Sequence, residues 1–198
     1  MSTATREDPD AVEMERLAAG QDAALNTLME RHSERLFHYL IRLVQNEGDA
    51  EELAQESFVR VYQHRARFDT KQKFSTWLYA IASNLARDRF RWRARHPQVS
   101  LDAESESSGA PLSDVLPANK PSPSQSMEAN ERADAVRAAV AALPEDLRLP
   151  LVLAEYEGRA QAEIAQILDC SVKAVEMRIY RARQQLREQL QSFFGKDG

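Results

Sequence analysis

From Asp22 onward, apolar side chains return every three or four residues: Leu25, Leu28, Met29, Leu36, Leu40, Leu43 and Val44, until Asn46 and Gly48 interrupt them. That spacing predicts one long helix with a single apolar face. A second series, Ala50, Leu53, Ala54, Phe58, Val61 and Tyr62, repeats the period, and Asp49 standing three residues before Glu52 predicts a capping box at its start. The opposite face of this helix carries Glu51, Glu52, Gln55 and Glu56. A third helix is expected from about Ser75, after the polar loop Phe68–Lys73, with Trp77, Leu78, Ile81, Ala82 and Leu85 inward. Its C-terminal half alternates Arg87, Arg89, Arg91, Arg93 and Arg95 with the aromatics Phe90 and Trp92. The helix dipole accounts for some cations there, but five at alternate positions fan around every side, and arginines beside aromatics suit phosphate contact with base stacking.

The period then vanishes. Between His96 and Ser126 lie five of the eight prolines and eight serines, a composition that cannot bury enough surface to offset the entropy of ordering. A flexible Pro/Ser-rich linker is expected over 97–126, dividing a domain at 13–96 from one at 127–194, with 1–12 left as an acidic tail. In the second domain Glu128–Leu143 has helical propensity, Pro144 permits a new helix, and Leu147, Leu151, Val152 and Tyr156 supply its stripe. Pro150 inside that stretch predicts a kink or a late start.

The most specific pattern runs from Ala160 to Leu190. A short helix over Glu163–Leu168, a turn at Asp169-Cys170-Ser171 and a longer helix from Val172 have the spacing of a helix-turn-helix. Asp169 tolerates the left-handed turn conformation, and Val175, Ile179, Ala182, Leu186 and Leu190 form the buried stripe of the second helix. Its other face presents Lys173, Glu176, Met177, Tyr180, Arg181 and Gln184. In the major groove, residues early in such a helix reach base edges, while Arg181 and Arg183, two turns further on, meet the backbone.

Composition adds exclusions. The longest apolar runs are six residues, Trp77–Ala82 and Ala138–Leu143, against the roughly 20 that span a bilayer. One cysteine, Cys170, cannot form an internal disulfide, and the four histidines have no metal-ligand spacing, so neither a metal nor another cofactor is expected. No nucleophile triad, phosphate-cradling glycine loop or carboxylate pair is visible, so no enzyme is expected. The net charge of −5 hides two basic windows: residues 71–98 carry +6 and residues 171–198 carry +3. Local fields of this kind bind phosphate even on an acidic chain.

These stretches resemble the extracytoplasmic-function (ECF) group of bacterial RNA polymerase sigma factors, within the sigma-70 family. The resemblance rests on Asp49–Tyr62, Phe74–Arg89, Leu143–Arg148 with Glu155–Gly158, and Glu163–Leu168 followed by Val175–Arg183. It implies an all-α fold of two small helical domains joined by a flexible linker, the second a helix-turn-helix domain. It further implies that Asp49, Glu51, Glu52, Gln55 and Glu56 dock on the clamp helices of the largest subunit of core RNA polymerase, whose flap region is a second contact. Phe68, Lys71, Lys73, Asn84, Arg87 and Arg91 would hold the opened −10 element of promoter DNA. Lys173, Glu176, Met177, Arg178, Tyr180, Arg181 and Arg183 would read the −35 element. An anti-sigma factor is a further partner of the family, and the implied location is the bacterial cytoplasm. The sequence departs from the family at Asp169, Lys173-Ala174 and Glu176-Met177, which leaves the promoter sequence open. Two other readings compete: a sigma mimic that binds an anti-sigma factor without touching DNA, which has no need of both basic patches, and a stand-alone helix-turn-helix regulator, which predicts a ligand or dimer surface in place of an arginine-rich helix.

Overall fold

The computed structural model describes the backbone of residues 8–96 and 123–194 and the side chains of 8–96 and 130–191. Most of the expected linker and the start of the acidic tail lie outside the described residues. The described residues are helical throughout: α1 (Pro9–Ala18), α2 (Ala23–Val44), α3 (Glu47–His64), a short 3-10 turn (Arg65–Arg67) and α4 (Phe74–Arg95), then α5 (Pro123–Ala142), α6 (Glu145–Glu155), α7 (Gln161–Leu168) and α8 (Val172–Phe194).

The long helix expected from Asp22 is α2, and it ends where Gln45 takes the left-handed conformation (φ 56°). The start of α3 differs from expectation. Asn46, not Asp49, is the cap: its side-chain oxygen accepts the Asp49 N–H at 2.9 Å, so the helix begins at Glu47. This frees the Asp49 carboxylate for Arg89 and Arg93 of α4. Upstream, Asp8 caps α1 and Pro9 occupies its first turn, so ordered helix begins within the stretch expected to be tail. Met14 and Leu17 of α1, Leu28, Leu36, Tyr39, Leu40 and Leu43 of α2, Leu53, Phe58 and Val61 of α3, and Phe74, Leu78, Ala82 and Leu85 of α4 close the core of the first domain. A fully buried leucine contributes roughly 2 kcal/mol relative to exposure. Trp77 and Ile81, expected inward, sit half-buried at the margin of this core.

In the second domain α6 starts directly after Pro144 and runs through Pro150 to Glu155 without the late start expected. Leu147, Leu149, Leu151, Val152 and Leu153 are all buried, because α6 is covered by α8 on one side and by α2 of the first domain on the other. Tyr156, expected in the stripe, is instead exposed, with the Arg42 guanidinium 4.8 Å above its ring. Asp169 is left-handed (φ 50°), as the turn requires, and Cys170 packs half-buried against the core with a free thiol. Val175, Ile179 and Ala182 are buried, whereas Leu186 and Leu190 are half-buried where α8 outruns its neighbours.

Candidate nucleic-acid interface

The helix-turn-helix is closed by its own sequence. The Ser171 hydroxyl accepts the Ala174 N–H at 3.1 Å and so caps α8, while Glu163 Oε2 accepts the Ala160 N–H at 3.4 Å at the start of α7. On α8, Lys173, Met177, Tyr180 and Arg181 are exposed on one side. Glu176 is half-buried and its carboxylate lies 2.9 Å from Lys173 Nζ. Arg178 is half-buried. Arg183 is tied to Glu155 of α6 by two hydrogen bonds, at 2.5 and 3.1 Å, so it braces the recognition helix against its own domain.

In the first domain the acidic side of α3 is outward, with Glu51, Glu52 and Gln55 exposed. Glu56 pairs with Arg60 at 2.9 Å and Glu52 with Arg89 at 2.7 Å. Asp49 stands apart from this face. Its carboxylate, only 16% exposed, bridges Arg89 at 2.6 Å and Arg93, and Arg93 also donates to the Val44 carbonyl at 3.0 Å. Two of the five α4 arginines thus hold the C-terminal half of α4 onto the α2–α3 corner. The alternation of arginines is shared between folding and surface charge, which the sequence pattern alone does not distinguish. Asp49→Ala strips Arg93 of its anion and leaves Arg89 only the exposed Glu52, and is expected to lower stability by about 1–3 kcal/mol, read as a drop in the urea midpoint at unchanged slope.

The expected −10 residues occupy one end and one side of α4. Phe68 packs against Trp77 and Phe74, with ring centroids 5.2 and 6.2 Å away, which anchors the loop that carries Lys71 and Lys73. Lys71 is exposed, and its N–H caps onto Asp69. Asn84 is exposed beside Arg87, Arg91 pairs with Asp88 on the surface, and exposed Trp92 stacks on His96 at 4.7 Å. Lys73 and Arg87 face the other domain: Lys73 Nζ is 3.0 Å from Glu163, and Arg87 Nη2 is 3.5 Å from the Leu168 carbonyl. The hydrogen bond from Lys73 is the main reason the Glu163 carboxyl is held below the ordinary glutamate value; burial opposes it, and the Ala160 N–H adds to it.

Between the domains lies a feature that sequence reasoning missed. Gly158, at φ 62°, lets the chain reverse after α6 and carries Glu157 into the gap between α2 and α4. The Glu157 side chain is 2% exposed; it accepts from the Tyr79 hydroxyl at 2.6 Å and lies 3.5 Å from Arg35 and 3.7 Å from Arg42. Burial first, and then this hydrogen bond, push the Tyr79 phenol above its ordinary value. Arg159 covers the Tyr79 ring at 4.6 Å and donates to Ser75, and Arg148 donates to the Leu43 carbonyl at 2.7 Å while lying 5.3 Å from the Phe90 ring. A glutamate in a turn breaks no amphipathic pattern, so only the pairing across the domains reveals it.

Comparison with known proteins gives these surfaces a context. Residues 28–96 match Sigma-70 region 2, and residues 133–186 match Sigma-70, region 4. The ECF RNA polymerase sigma-E factor of Salmonella typhimurium is 34% identical over 186 residues, covering 92% of this chain and 94% of that protein. The RNA polymerase sigma-H factor of Pseudomonas aeruginosa is 32% identical over 189 residues, covering 93% and 95%. Among solved structures, CnrH in complex with the cytosolic domain of CnrY superposes with a TM-score of 0.66 at 25% identity, over 93% of this chain and 99% of that one. The sigma factor RpoE of Bartonella quintana, solved with the anti-sigma factor NepR, has a TM-score of 0.62 at 22% identity over 84% and 96%, a likeness of fold. With both sigma regions matched in order and such relatives aligned over nearly their whole length, this all-helical chain belongs to the ECF group of RNA polymerase sigma factors.

Proposed function

We propose how this sigma factor divides its work among its surfaces. The family directs transcription initiation and leaves the covalent chemistry to polymerase, so the task of this chain is binding. Domain two, over about 13–96, docks on the largest-subunit clamp helices through Glu51, Glu52, Gln55 and Glu56, and Asp49 acts behind them by fixing α4. The anchored loop with Phe68, Lys71 and Lys73, and the α4 residues Asn84, Arg87 and Arg91, hold the melted −10 strand through base stacking and charge-assisted phosphate contacts. Domain four, over about 127–194, docks near the flap region and reads the −35 duplex with Lys173, Glu176, Met177, Arg178, Tyr180 and Arg181, while Arg183, paired with Glu155, supports the helix that presents them.

The observation that carries this reading is the exposed face of α8: two cations, a methionine and a tyrosine turned outward from a capped, well-buried helix-turn-helix. CnrH is held in complex by the cytosolic domain of another protein, which supports a protein regulator, an anti-sigma factor, as a further partner here. No helix among the described residues is long and apolar enough to cross a membrane, and a protein with these partners works in the bacterial cytoplasm. Footprinting with core polymerase tests the division of labour. Two protected blocks upstream of the start site are expected, the upstream one lost on Arg181→Ala and the downstream one on Arg91→Ala with Lys71→Ala; a single block insensitive to both variants contradicts it.

A further inference from the structure

α1 (Pro9–Ala18) lies ahead of residues 28–96, where the chain matches Sigma-70 region 2, yet it is built into the first domain. Met14 and Leu17 are buried, and the helix packs against α2, the 3-10 turn Arg65–Arg67 and α4. That turn and α4 flank the loop of Phe68, Lys71 and Lys73, so α1 touches the elements on both sides of it. In the first turn of α1 the Asp10 carboxylate, 14% exposed, takes the His32 Nε2–H at 2.7 Å on one oxygen and Arg31 at 2.9 Å on the other. A carboxylate only accepts, so the imidazole is the donor and the bond fixes its orientation. The His32 ring meets the fully buried Phe74 edge-on, with centroids 5.1 Å apart and planes at 60°. Phe74 in turn packs against Phe68 at 6.2 Å and Trp77 at 6.4 Å. A series of contacts thus runs from the N-terminal helix to the ring that anchors the loop. The loop depends on such an anchor. Its backbone bonds close on itself and its flanks, from the Phe68 N–H to the Arg65 carbonyl and from the Gln72 N–H to the Asp69 carbonyl, and bonds of that kind shape a turn without placing it on the domain.

We infer that Asp10 and His32 are positioning residues for strand recognition: the carboxylate orients the imidazole, the imidazole holds Phe74 and through it Phe68, and the loop with Lys71 and Lys73 is kept in the conformation that receives an unpaired base. This deepens the −10 assignment and rests on it. Electrostatics gives the claim a sign. Asp10 is an acid beside Arg31, so if its charge alone mattered, removing it would raise affinity for a polyanion. As a positioning group its loss lowers affinity instead, because a loop correctly placed in only a fraction of the molecules binds more weakly by that fraction.

The test loads core polymerase with the full chain and offers it a pool of random single strands; those retained beyond what core enzyme alone holds are sequenced. The wild-type chain is expected to enrich one short block. Asp10→Ala is expected to lower that enrichment about fivefold, as when the loop is correctly placed in about one molecule in five. Asp10→Asn, which removes the charge but keeps an oxygen for His32, is expected to retain it. A second readout uses the free chain carrying Trp92→Phe, in which Trp77 is the remaining tryptophan. Acrylamide quenching of Trp77 is expected to rise with Asp10→Ala and to stay unchanged with Asp10→Asn. Should Asp10→Ala lose its helical circular dichroism, His32→Gln replaces it: the amide still donates to Asp10 but no ring meets Phe74, and the same loss of enrichment is expected. Enrichment by Asp10→Ala equal to or above that of the wild type overturns the inference and leaves the −10 assignment standing. So does an equal loss in Asp10→Asn, or a loss in Asp10→Ala with Trp77 no more quenched than before. A wild-type chain that enriches no block overturns the assignment and the inference with it.

Discussion

Reversing Glu51 and Glu56 to lysine is expected to weaken binding to core polymerase about 10- to 100-fold while leaving helicity and thermal midpoint unchanged. Both lie on the outward side of α3, and neither contacts another element: Glu51 is exposed, and the partner of Glu56 is Arg60 on the same helix. An acidic face of this kind docks on a surface of complementary charge, so reversing it sets like charges against each other at a cost of several kcal/mol and removes steering, and the effect should be greatest in the association rate and at low salt. Glu52 is less suitable as a probe because it holds Arg89, so its reversal disturbs α4 as well as the surface. Unchanged affinity in a titration of the double variant against core enzyme would place the polymerase interface elsewhere.

On the recognition helix, two substitutions are expected to give opposite phenotypes. Glu176→Ala should change which base is preferred at one position of the −35 duplex, since a carboxylate accepts from cytosine N4, with about 1–3 kcal/mol of discrimination at stake. Arg181→Ala should weaken all duplexes by a similar factor and lower the salt slope by about one, the mark of a lost phosphate contact. Arg181 is the cleaner phosphate probe because Arg183 already pairs with Glu155 in the free protein, so Arg183→Ala removes an exposed ion pair as well as any contact to DNA. The Lys173–Glu176 pair adds a condition. In the free protein these charges satisfy each other at 2.9 Å, so base recognition by Glu176 requires Lys173 to turn to a phosphate or a second base. Salt titrations on wild-type and single-base-substituted duplexes separate the cases; a uniform loss on Glu176→Ala would mean that the helix is docked in another orientation.

Local pattern carried the helices of this fold because their apolar faces repeat over many turns. It placed α2 almost to the residue and put Asp169 in the left-handed turn, where a short polar side chain is tolerated. It was less able to say where a charge goes. Asn46 and Asp49 are both good caps, and which one serves depends on whether Arg89 and Arg93 are near enough to claim the other, a fact of tertiary structure. Tyr156 likewise continues the period of α6 yet faces Arg42, because the helix is buried from two directions and its stripe is broader than one face. The same limit explains Glu157. Its partners Tyr79, Arg35 and Arg42 are between 78 and 122 positions away in the chain, so nothing local marks it. The candidate surfaces on α3 and α8 were legible because they are single-helix faces, whereas the covering of Lys73 and Arg87 by domain four required both domains together.

A sigma factor directs core polymerase to promoters of one sequence class. Run-off transcription with core enzyme on a library of randomised promoters, followed by sequencing of the transcripts, measures that directly. The expected result is chain-dependent transcripts whose templates share two short conserved blocks at a fixed separation, with none in core enzyme alone. Transcripts that appear without any shared upstream sequence, or core binding with no chain-dependent transcript from any template, would contradict it.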